Sequence, residues 1–69
     1  MERRQRLVEE AEELIEEGER VTARKLSQAT GFHPADVHRL LNSLEKQGKI
    51  RSRTQELFGE KVRVVAVKR

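Results

Sequence analysis

Residues 31–50 read GFHPADVHRLLNSLEKQGKI, and the spacing inside this stretch decides the fold. Val37, Leu40, Leu41 and Leu44 recur at helical intervals and make one apolar stripe, so a helix is predicted from Pro34 to about Gln47. Proline suits its first position, because the missing N–H has no partner there, and Asp36 in the first turn complements the positive end of the helix dipole. His33 takes the cap position, where Ser or Asp is commoner. Gly48 closes the helix, and Ile50 just beyond is expected to turn back onto the core. With the stripe inward, Ala35, His38, Arg39, Asn42 and Lys46 face outward. These are residue types that recognise acids or nucleic acid, and they ask for a polyanionic partner.

Working toward the N-terminus, VTARKLSQATG (21–31) predicts a short helix over 23–30. Thr22 is a favourable N-cap, Val21 and Leu26 stand in the hydrophobic-staple relation, and Leu26 and Ala29 are expected to point inward before Gly31 ends the helix. Before it, Leu7, Val8, Ala11, Leu14 and Ile15 form a stripe on a helix over 3–17, stopped by Gly18. Glu2 with Arg6, and Glu16 with Arg20, are spaced for ion pairs four residues apart. Toward the C-terminus, KIRSRT (49–54) alternates and VRVVAV (62–67) is β-branched and nearly continuous. The two are read as a hairpin closed by a seven-residue connection, QELFGEK (55–61). The expected fold class is α+β: a three-helix bundle with a C-terminal β-hairpin at 49–67, forming one domain over 1–69.

Composition narrows the function. A chain of 69 residues has room for one small core and none for a separate catalytic or effector-binding module. There is no cysteine, hence no disulfide and no thiolate metal site, and the chain suits a reducing compartment; the expected localisation is cytoplasmic. No apolar run approaches the roughly 20 residues that a membrane span requires. The formal charge of +3 conceals two unlike parts: residues 1–20 carry four Arg against eight Glu, while residues 21–69 carry eleven Lys or Arg against four acids. A basic body beside an acidic helix concentrates attraction for phosphate where docking occurs. Abundant Glu, Lys and Arg also match a thermophile's surface composition.

Helix, glycine turn and helix, with a valine six residues after the glycine, leucines three and seven beyond it, then LEKQGKI and a hairpin, together resemble the winged helix-turn-helix family over essentially the whole chain. The resemblance implies that 34–47 is a recognition helix and 49–67 a wing, in a small bacterial or archaeal type of transcription regulator or chromatin-associated protein, nucleoid-associated in the cell. The spacing is also similar to the Z-DNA-binding winged helix, but His38 and Asn42 stand where that family has Asn and Tyr, and the wing lacks Pro-Pro-x-Trp. That narrower reading is set aside.

Double-stranded DNA is therefore the expected partner. Candidates for reading bases are Ala35 on a thymine methyl, His38 as a donor, Arg39 on guanine and Asn42 on adenine. Candidates for the DNA backbone are Thr22, Arg24, Lys25, His33, Lys46, Arg51, Arg53, Lys61 and Arg63. Leu57 and Phe58 on the wing tip, flanked by Glu56 and Glu60, are candidates for self-association, with Phe58 packing on a neighbouring protomer or on its own first helix in preference to wedging into a minor groove. A homodimer, or cooperative coating of the duplex, would extend the few base pairs that one helix covers. The alternative is a winged-helix protein-interaction module in a larger complex, using the acidic helix and the wing tip. Neither an enzyme, a cofactor, a metal nor a small-molecule ligand is expected: two histidines, and four glycines that each end an element, offer no catalytic or phosphate-binding constellation.

Overall fold

The computed structural model describes residues 2–68. In chain order it contains α1 (Arg3–Glu16), α2 (Ala23–Thr30), α3 (Pro34–Lys46), β1 (Ile50–Leu57) and β2 (Glu60–Val67). The three helices pack around one core, and the antiparallel β1-β2 hairpin closes its open side.

Leu7 and Ala11 of α1, Ala23 and Leu26 of α2, and Val37, Leu41 and Leu44 of α3 are buried together with Val21, Ile50 and Val65. Each fully buried Leu or Val contributes roughly 1.5–3 kcal/mol relative to exposure, and for a chain with no disulfide this packing is the main stabilising term. Two details of the expected core change. Ala29 is exposed and Ala23 is buried in its place, because α2 turns the face shared by 23, 26 and 30 inward. Ile15 ends the α1 stripe at the rim, 40% exposed. The expected pairs on α1 also differ: Arg6 meets Glu10 at 3.3 Å, and Glu2 pairs with Arg4.

The α2–α3 turn is built by side chains as well as by Gly31, whose φ of 77° is open to glycine at little cost. Thr30 Oγ1 donates to the Leu26 carbonyl (2.7 Å) and accepts from the Phe32 N–H (3.2 Å), and Ser27 Oγ donates to the Phe32 carbonyl (2.7 Å). The Arg3 guanidinium lies 5.3 Å from the centre of the Phe32 ring, tying the start of α1 to this turn.

The hairpin corrects the sequence reading most. The strands extend to Leu57 and from Glu60, so the connection is two residues, Phe58 and Gly59, rather than seven. Both have positive φ, 52° and 78°, which is the backbone of a tight turn whose twist matches the strands. Gln55, Glu56 and Leu57 pair opposite Val62, Lys61 and Glu60, continuing the ladder beyond the β-branched residues. On its other edge β2 meets the segment before α2: Val65 donates its N–H to the Val21 carbonyl (2.9 Å), and Thr22 bridges Val64. The hairpin is thereby fastened to the start of α2.

Candidate nucleic-acid interface

The site is the outer face of α3 together with the start of α2 and the near face of the hairpin. Thr22 caps α2 by accepting from the Lys25 N–H (3.1 Å), and His33 caps α3, its Nδ1 accepting from the Ala35 N–H (3.1 Å). Those caps fix where both helices begin. Ala35, His38, Arg39, Asn42 and Lys46 are all exposed on α3. Arg39 is 81% exposed and, among the described residues, its one ion pair is with Asp36 at 3.9 Å, a surface pair that a stronger partner can displace.

Thr22, Arg24, His38, Lys61 and Arg63 line one groove between α2, α3 and β2, while Arg24 and His38 also flank the groove where α2 and α3 cross. Lys25 leans toward Glu19 at 3.6 Å. Arg51 and Arg53 do not join this surface. They pair opposite Ala66 and Val64 and lie on the outer face of the hairpin. Leu57 is half-buried, and Phe58 projects fully into solvent. Phe58 therefore does not pack on its own first helix.

Arg63, expected as a free phosphate ligand, is engaged within the protein. Its side chain is 17% exposed. Nε donates to Ser52 Oγ (3.0 Å), Nη2 donates to Asn42 Oδ1 (2.9 Å), and Nη1 lies 3.3 Å from His38 Nδ1 and 3.4 Å from the His38 carbonyl. Glu45 completes the cluster, 3.6 Å from Nη2 and accepting from Ser52 Oγ. The hydrogen bond from Ser52 holds the Glu45 carboxyl below its ordinary value of 4.5; desolvation opposes it, and the Arg63 charge adds a weaker lowering effect. Glu45 and Ser52 were not among the sequence candidates; the inward register of Ser52 beside Ile50 was the available signal.

Among the described residues, no group of three or more His, Asp or Glu side chains could hold a metal ion, and no helix is long and apolar enough to cross a membrane.

Three helices, a capped two-helix turn with an exposed polar face on its second helix, and a hairpin fastened beside that face define a winged helix-turn-helix DNA-binding domain. Comparison with known families agrees: the IclR helix-turn-helix domain model matches residues 13–53, from the second half of α1 into β1. The chain belongs to that family of DNA-binding domains, which is typical of transcription regulators and characteristically non-enzymatic. No curated protein and no solved structure matched the chain.

Proposed function

We propose that the protein binds double-stranded DNA as a minimal transcription regulator, or as a chromatin-associated protein of the nucleoid, with residues 1–69 acting as one winged-helix domain. In this reading α3 enters the major groove and the hairpin runs along the backbone. The observation that carries it is the exposed row Ala35, His38, Arg39 and Asn42 on α3, bordered by Arg24 and Lys61 across the adjoining groove. Arg39 is the strongest base reader of the four, since its fork matches the paired acceptors of guanine. Arg24, Lys25, Lys46 and Lys61 supply phosphate contacts, His33 and Thr22 lie at helix starts where N–H groups favour an anion, and Arg51 and Arg53 reach only DNA that wraps past the wing.

One such helix reads a few base pairs, so the functional unit on DNA is a homodimer or a cooperative array. Phe58, 105% exposed and held at positive φ, favours the wing tip as the self-contact, with Leu57 beside it. Anisotropy of a labelled random 30-base-pair duplex over a salt series tests the proposal. With about five phosphate contacts, log K falls against log salt with a slope of roughly −4 to −5. Arg39→Ala weakens binding; no saturable binding at low salt would refute the reading and favour a protein-interaction module.

A further inference from the structure

We propose that Arg63 is a specificity-determining residue that turns the α3 face toward guanine, by fixing which polar atoms His38 and Asn42 present outward; the inference rests on the DNA-binding reading above. A guanidinium only donates hydrogen bonds, so every atom it meets must accept. His38 Nδ1, 3.3 Å from Nη1, offers its lone pair to Arg63; in the neutral ring the proton then sits on Nε2, the nitrogen turned away from the wing. Asn42 Oδ1 accepts from Nη2 at 2.9 Å, which leaves the Nδ2 amino group to face outward.

The consequence is a face of one hydrogen-bonding kind. His38 presents N–H, Asn42 presents NH2 and Arg39 presents its guanidinium, so all three polar side chains donate. In the major groove guanine offers two adjacent acceptors, N7 and O6; adenine offers one acceptor and one donor, and cytosine offers a donor. Adenine recognition by Asn42, the pairing expected from residue type alone, needs Oδ1 to accept from the adenine amino group, and that oxygen is already turned to Arg63. Ser52 and Glu45 hold the guanidinium from the other side, at 3.0 and 3.6 Å, so the donor pattern is set before DNA arrives. A wing residue that need not touch a base thus selects among bases.

Two measurements on the full chain test this. Long-range 15N–1H correlation of the histidine rings in the free protein should show His38 protonated on Nε2; a proton on Nδ1 overturns the inference. Selection of bound duplexes from a random pool should enrich guanine at the α3-facing positions by about tenfold over adenine. Arg63→Lys keeps the charge but cannot span both partners, so it should reduce that preference to below about threefold, a change that loss of one phosphate contact would not produce. Adenine preference in the wild type, or an unchanged preference in Arg63→Lys, overturns the proposal. Duplex binding without base preference overturns it alone, whereas no duplex binding at any salt overturns the DNA reading and this inference with it.

Discussion

Phe58→Asn should make the protein more stable. Phe58 sits at φ 52°, a left-handed conformation that costs a residue with a Cβ roughly 1–2 kcal/mol, and its side chain is 105% exposed, so it recovers none of that cost by burial in the monomer. Asn adopts the same φ more readily, and Asn-Gly is the preferred pair for a two-residue hairpin whose central residues both have positive φ. With Gly59 already at 78°, the substitution should gain about 0.5–1 kcal/mol. For a domain of this size that raises Tm by about 2–8 °C. With a urea m-value near 1 kcal/mol/M, the midpoint rises by about 0.5–1 M. The assay is urea unfolding followed by circular dichroism, at a protein concentration where the wild type is monomeric by analytical ultracentrifugation. An unchanged or lower midpoint for Phe58→Asn would refute the reasoning, because it would mean that the aromatic ring gains something in the monomer that outweighs its backbone cost. Repeating the titration at high concentration separates the proposed self-contact: wild-type stability should rise with concentration and that of Phe58→Asn should not.

Thr22→Ala removes the cap that accepts from the Lys25 N–H, and should lower stability by about 1 kcal/mol in the same urea assay, while leaving the backbone bridge to Val64 intact. Glu45 predicts a pH dependence: its carboxyl is held below 4.5 in the fold, so the unfolded chain takes up the proton first as pH falls. Its contribution is full above 4.5 and is lost as pH drops through the folded value. Wild type should therefore lose more stability than Glu45→Gln between neutral pH and a pH well below 4.5, as measured by urea unfolding at both.

The helices were legible because their cues are local. The α3 stripe, the His33 and Thr22 caps and the left-handed Gly31 each depend on residues within one or two turns, and each stands where the spacing put it. The exposed face of α3 follows from the buried one, so Ala35, His38, Arg39 and Asn42 were legible too. What was not legible depends on contacts between distant segments. The strand-like pairing of Val21 and Thr22 with β2, and the cluster joining His38, Asn42, Glu45 and Ser52 through Arg63, span 7 to 44 residues of sequence.

The hairpin turn shows how one local misreading propagates to a functional assignment. A seven-residue connection closes Thr54 onto Val62 and sets Arg63 opposite Arg53; cross-strand partners share a face, so Arg63 would stand with Arg51 and Arg53 as another free cation. The observed two-residue turn sets Arg63 opposite Thr54, on the face of Ile50 and Ser52 that packs against α3. That shift of one residue is enough to carry its guanidinium from solvent to His38 and Asn42. The turn was hidden because Phe-Gly lacks the Asn or Asp that usually marks such a turn, and because Gln55, Glu56 and Lys61 are polar residues that a two-sided wing can hold in a strand without burying them. The same Phe58 that hides the turn is the residue whose replacement by Asn is expected to stabilise it. Held where the backbone disfavours it and with no burial to offset the strain, the Phe58 side chain adds nothing to the monomer's stability, which is why the proposed self-contact at the wing tip predicts that wild type alone gains stability with concentration.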